Sequence, residues 1–126
     1  MIRTLSAVAL ALCAVSSPAV AQDPAPDLPD LSLEQRTNLR CAVAFGLIAK
    51  GQEEGDPRAA AYPPMGERGR EFFVRTMAQL MDDEGLTREG VNKLAFHETL
   101  ALAKESPEAR EKMMPSCLML LDASGL

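Results

Sequence analysis

Two cysteines set far apart in the chain constrain its fold more than any other feature. The sequence holds three, Cys13, Cys41 and Cys117. Cys13 lies in an N-terminal segment that reads as removable, so the mature chain keeps Cys41 and Cys117. An even pair in an oxidising compartment reads as a disulfide; the alternative is two buried free thiols. The loop closed would span most of the mature chain. The chain-entropy account assigns such a bond roughly 4–5 kcal/mol, against a total stability of about 5–15 kcal/mol for a domain of this kind. Any fold must therefore place residue 41 beside residue 117.

The removable segment is residues 1–21, MIRTLSAVALALCAVSSPAVA. Arg3 supplies a positive start, Leu5 to Val15 an apolar run, and Pro18 a helix break. Ala19-Val20-Ala21 is a small-x-small cleavage site before Gln22. This is the pattern of a secretory signal peptide, and the apolar run is too short for a stable membrane span. Leu12 stands where lipid attachment at Cys13 would need a small residue, which disfavours a lipoprotein. No other segment approaches 18 uncharged apolar residues, so no membrane insertion is expected after cleavage. The expected location is the periplasm. Cleavage between Ala21 and Gln22 leaves 105 of the 126 residues and, with Arg3 gone, 12 Lys+Arg against 18 Asp+Glu, a net charge of −6.

The mature chain divides into a Pro/Asp-rich flexible leader, 22–31, and a single α-helical domain, 32–126. Ser32 and Gln35 form a capping box, which predicts a helix from Leu33 to about Lys50 with Gly51 as its stop. The run Cys41–Ala49 is apolar in nearly every direction, so this helix should be central and buried. Asp56-Pro57 predicts one short turn through Ala61. Pro64 is placed to open a second helix ending near Glu84 with Gly85 as cap. Its stripe of Gly66, Gly69, Phe73, Met77 and Leu80 should face inward, and Glu71, Arg75, Gln79 and Asp82 outward. Thr87 caps a third helix, Arg88 to about Glu105. That helix carries two apolar stripes, Val91/Leu94/Ala95/Leu102 and Phe96/Leu100/Ala103, with Lys93, His97 and Lys104 between them. Ser106-Pro107 opens a fourth helix, and Pro115 should kink or restart it, giving a separate apolar helix from Ser116 to Ala123. No strand alternation appears. The expected fold is all-α: a compact bundle of four to five short helices held by one disulfide.

Composition narrows the function. The acidic balance argues against nucleic acid, whose phosphates are bound by surplus Lys and Arg. A single His disfavours multi-His metal sites. No Ser occupies a nucleophile elbow and both mature cysteines should be oxidised, so no enzyme is expected. The C-x-x-C-H of covalent haem attachment is missing, and no cofactor is expected. Asp82 to Glu89 looks like a calcium loop, but with Gly85 at position 6 the two ends fall on Leu80 and Val91, which are not ligands. The stretch reads instead as a glycine-capped helix joint. His97, beside Lys93 and Lys104, reads as a solvent-facing residue. Glu98 intrudes into the Val91 stripe and should pair with an Arg of another helix or reach water.

Two features carry candidate binding chemistry. Tyr62-Pro-Pro-Met-Gly-Glu-Arg-Gly-Arg-Glu-Phe-Phe73 places Gly66 and Gly69 where another backbone can approach. It also places Arg68 and Arg70 near a helix N-terminus able to hold an anion or a partner. Methionines are abundant in a chain with few aromatics. They fill cores and form adaptable binding surfaces, and Met77, Met81, Met113 and Met114 form a weaker, thioether copper alternative.

The signal segment, the capped CAVAFG helix, YPPMGERGREFFVRT and the closing PSCLMLLDASGL together resemble small exported two-cysteine helical proteins of sphingomonad-type alphaproteobacteria. That resemblance spans most of the mature chain and implies no activity. In architecture the chain is also loosely similar to the disulfide-held acid-stress chaperones of enteric periplasm, although its motifs differ. The expected function is a non-enzymatic, protein-binding or stress-related periplasmic module, working with a protein partner or as a homo-oligomer. The alternative is a carrier of a small ligand or of copper.

Overall fold

Leu31, the last residue of the expected leader, is buried in the hydrophobic core. The packed domain therefore begins before the capping Ser32, one residue earlier than the leader reading allowed. The computed structural model describes residues 28–126. The expected signal peptide, its Ala21–Gln22 junction and the first part of the leader lie outside the described residues.

Helix α1 spans Leu33–Glu54. Its capping box forms as read: the Ser32 hydroxyl accepts from the Gln35 amide at 3.1 Å, and Gln35 Oε1 accepts from the Ser32 amide at 2.8 Å. The helix does not stop at Gly51. It runs on to a Schellman ending at Gly55, whose φ of 76° suits only glycine without strain. The Asp56 amide donates back to the Gly51 carbonyl at 2.8 Å, and the Gly55 amide to the Gln52 carbonyl at 3.3 Å. Gly51 serves another purpose. A Cβ there would lie 2.8 Å from the Ala59 Cβ, so its bare backbone lets the 3-10 turn Ala59–Ala61 sit against α1.

Helix α2 spans Arg68–Glu84, starting four residues after Pro64, and Gly85 ends it at φ 62°. Met65, fully buried, lies in the intervening turn, and its carbonyl accepts from the Gly69 amide at 3.0 Å. Of the two glycines expected to admit a neighbour, only Gly69 does: a Cβ there would meet the Phe45 Cβ at 3.1 Å, whereas one at Gly66 would meet nothing within 4 Å. Beside this contact Phe45 and Phe72 meet edge to face, centroids 5.3 Å apart. Glu71, Arg75, Gln79 and Asp82 are exposed, as the wheel requires, but of the inward stripe Gly66 is exposed and Phe73 only half-buried, and Phe72 takes the buried place instead.

Helix α3, Arg88–Lys104, carries the Thr87 cap, whose hydroxyl accepts from the Gly90 amide at 3.1 Å. Only its first stripe enters the core. Val91, Leu94 and Leu102 are buried, while Phe96 is 61% and Leu100 41% exposed. Helix α4 spans Pro107–Ala123 without interruption, so the bundle has four helices and one short turn. Pro115 sits inside α4 and removes one donor. Pro115 and Glu111, whose carbonyl loses its partner, both lie on the exposed side, where water can replace it.

The described residues are thus all-α. Helix α1 packs against α2, α3, α4 and the 3-10 turn, and α2 reaches α3 and α4, while the α3 and α4 backbones stay further apart. Cys41 to Phe45 are five consecutive buried residues because neighbours cover every side of α1 there. Cys41 and Cys117 form the expected disulfide between α1 and α4, with Cα atoms 5.2 Å apart and 76 positions between them in sequence. No described helix is long and apolar enough to cross a membrane.

Candidate functional site

Because α3 and α4 diverge, a cleft of about 350 Å³ opens between them against the second half of α1. Its α1 wall is Ala44, Leu47, Ile48 and Gly51. The Leu102 and Ala103 side belongs to α3, and Met113 and Met114 come from α4. The 3-10 turn closes the remaining side with Ala59 and Tyr62. Leu47 is 42% exposed, a large apolar side chain left at the edge of an apolar hollow. The volume lies at the small end of the about 300–1,000 Å³ typical of ligand sites.

The cleft carries its charge on four residues, Asp56, Arg58, Arg110 and Glu111. Asp56 is engaged with its neighbour: its Oδ1 accepts from the Arg58 amide at 2.9 Å and lies 3.8 Å from Arg58 Nε. Arg110 is half-buried and has no carboxylate partner among the described residues; its Nη1 donates to the Leu102 carbonyl at 3.3 Å. Thr99, also in the lining, donates its hydroxyl to the Ala95 carbonyl at 2.8 Å.

One residue holds the 3-10 side in place. Gln52 Nε2 donates to the carbonyls of Ala59, Tyr62 and Pro63 at 3.1, 3.1 and 2.9 Å, and its Oε1 accepts from the Met65 amide at 3.0 Å. A reading that ends α1 near Lys50 places Gln52 in a loop and misses this role. Arg58 and Arg110 were missed for a different reason: neither stands in a motif, and only the fold brings their segments to one cleft.

The glycine–arginine stretch takes other positions. Arg68 Nη2 reaches Asp122 at 2.7 Å and its Nε donates to the Leu126 backbone oxygen at 2.8 Å, tying the start of α2 to the end of α4. Its guanidinium is therefore already committed within the domain. Arg70 is exposed and forms no ion pair among the described residues. Gly69 lies under Phe45 and Gly66 in open space, so the four residues do not converge on one pocket. Nor do the methionines: Met113 and Met114 line the cleft, whereas Met77 and Met81 belong to the core and its margin on α2. His97 is half-buried against Phe96, ring centroids 6.4 Å apart, rather than fully solvent-facing. Glu98 finds the Arg expected for it, Arg40 of α1 at 2.8 Å.

Among the described residues, fold and cleft define a disulfide-stapled bundle of four helices with an apolar hollow at the divergence of the last two. Comparison of the chain with protein-family models, curated proteins and solved structures finds no match.

Proposed function

We propose that this chain is a non-enzymatic, periplasmic binding module whose working surface is the cleft between α1, α3 and α4. The observation that carries this reading is the apolar hollow itself, with Leu47, Ile48, Met113 and Met114 in its walls. Methionines suit such a surface because their unbranched thioethers adapt to an incoming shape. The chemistry of the lining supports binding over catalysis. The Thr99 hydroxyl in the lining is bonded to backbone, and the cysteines, which lie outside the lining, are joined to each other, so neither is poised as a nucleophile. The reading moves the binding role away from the glycine–arginine stretch, where Arg68 is engaged. It keeps the exported, disulfide-held character that the leader and Cys41–Cys117 suggest.

The test uses N-phenyl-1-naphthylamine, a neutral apolar fluorophore, with the oxidised full-length mature chain. Saturable binding at one site per chain is expected. Leu47→Glu with Met113→Glu should abolish it, while Val74→Glu, at an exposed apolar residue of α2 outside the cleft, should leave it unchanged. Binding that survives the cleft variants, or no binding at all, overturns the proposal.

A further inference from the structure

Resting on the cleft reading above, we infer that the occupant is a free single-chain carboxylate amphiphile, such as a medium-chain fatty acid. The distribution of polarity along the walls carries the inference. The hollow is built from Leu47, Ile48, Ala59, Leu102, Met113 and Met114, which suit a hydrocarbon chain. Two hydroxyl-bearing residues line it, Tyr62 and Thr99; the Thr99 hydroxyl is already bonded to the Ala95 carbonyl, and Gln52 has its amide bonded to the backbone of the 59–63 segment. An extended peptide would bring amides and carbonyls along its whole length and would leave them unpaired against such walls, at a cost per group. An amphiphile carries its polar atoms at one end only.

The charges select the sign of that end. Arg58 and Arg110 both line the cleft, one from the loop and one from α4, together with two carboxylate residues, Asp56 and Glu111. Asp56 is already directed at Arg58. Among the described residues Arg110 forms no ion pair; it is half-buried beside apolar surface, with one long bond to the Leu102 carbonyl. A guanidinium in this setting gains most from a planar carboxylate, which it meets with two parallel N–H donors. The fourth charge of the lining, Glu111, is exposed, whereas Arg110 is half-buried and forms no ion pair among the described residues, so the charge set against apolar surface is positive and favours an anionic head over a cationic one.

The experiment titrates the oxidised mature chain by calorimetry with dodecanoate, dodecanol and dodecyltrimethylammonium, which share a chain and differ in the head. Dodecanoate should bind one to one, at least tenfold more tightly than either comparator. Arg110→Gln should erase most of that preference while keeping dodecanol affinity, and Arg58→Gln should weaken it less. Arg70→Gln, at an arginine outside the cleft, should change nothing. Circular dichroism and the urea midpoint report whether each variant is folded. Equal affinity for the three heads, with naphthylamine still bound at the cleft, overturns the carboxylate inference and leaves the cleft reading standing. Failure of all three ligands and of naphthylamine overturns both. Tight binding of an apolar peptide with none of dodecanoate overturns the inference in favour of a protein partner.

Discussion

Arg40 of α1 donates to Glu98 of α3 over 2.8 Å, from the first half of one helix to the apolar face of another. The same guanidinium also holds Glu105 just past the end of α3. Glu98 would otherwise be misplaced, since it shares its helical face with Val91, Leu94 and Leu102, and its side chain is only 20% exposed. Burial pulls the Arg40 guanidinium down. The hydrogen bond and charge of Glu105, and then those of Glu98, more than offset this and hold it above its ordinary value.

The Arg40 fork is therefore expected to be worth more than a surface ion pair. Arg40→Leu removes the cation and leaves two partly buried carboxylates facing each other, a loss of about 2 kcal/mol. Urea denaturation measures it. The double variant Arg40→Leu/Glu98→Leu should regain part of the loss, because it also removes an uncompensated charge. An unchanged midpoint for Arg40→Leu would show that the fork contributes only geometry.

Glycine 51 and glycine 66 should respond oppositely to alanine. Gly51 is inside α1, where alanine is intrinsically favoured by about 1 kcal/mol. Its Cβ would nevertheless strike the Ala59 Cβ at 2.8 Å, backbone-borne on both sides, so Gly51→Ala should destabilise by about 1–3 kcal/mol. Gly66 has open space and no positive φ. Gly66→Ala should therefore be neutral or stabilising by up to about 1 kcal/mol, through the unfolded chain. Thermal midpoints of the two variants that move in the same direction contradict this account.

That contrast also shows what the sequence could and could not convey. The Ser32, Thr87 and Ser106 caps were legible because each is a local exchange between a side chain and an amide three residues on, and the Gly85 ending because a left-handed C-cap favours glycine. Gly51 was misread because a glycine that ends a helix and one that admits a neighbour look the same until the neighbour is known. Pro115 was read as a break because the rule is local, while α4 is held across it by Met114, Cys117 and Leu121 in the core. The Arg partner of Glu98 was legible as a need but not as a residue, since Arg40 lies 58 positions away. Of the cleft, the methionines Met113 and Met114 were legible as material for a binding surface, but its place was not. It arises from the divergence of α3 and α4, which no single segment encodes.

The start of α4 should be sensitive to acid. The Glu108 carboxyl is held below its ordinary 4.5, first by its own backbone amide, then by the Ser106 side chain, with the charge of Arg110 adding to them and desolvation opposing. A carboxyl depressed in the folded state contributes stability that is present above its unfolded value and is lost as pH falls through the folded one. Carbon-detected NMR titration should therefore place Glu108 below 4.5. Ser106→Ala should move it back toward that value, and Glu108→Gln should flatten the acid limb of the stability curve. A Glu108 midpoint at the ordinary value would remove the basis for all three expectations.

The sharpest dissection is available at Gln52, whose two N–H donors are shared among three carbonyls of the 59–63 segment and whose Oε1 accepts from the Met65 amide. Gln52→Leu loses all four bonds, and leaving part-buried backbone groups unpaired should cost about 2 kcal/mol at any pH. Gln52→Glu is isosteric and keeps the bond from the Met65 amide, yet at neutral pH it turns a carboxylate oxygen toward three carbonyls. The introduced carboxyl should then be harder to ionise in the folded protein than in the unfolded chain. A folded value raised in this way means stability that is present below the unfolded value and lost as pH rises through the folded one. Gln52→Glu should accordingly match Gln52→Leu near neutrality and recover on acidification, where the protonated carboxyl again offers one donor. The same variants should weaken naphthylamine binding in parallel, because Ala59 and Tyr62 are both anchored by Gln52 and part of the cleft wall. A Gln52→Glu protein whose stability difference from wild type does not change with pH would show that the 59–65 segment is held by Met65 burial alone.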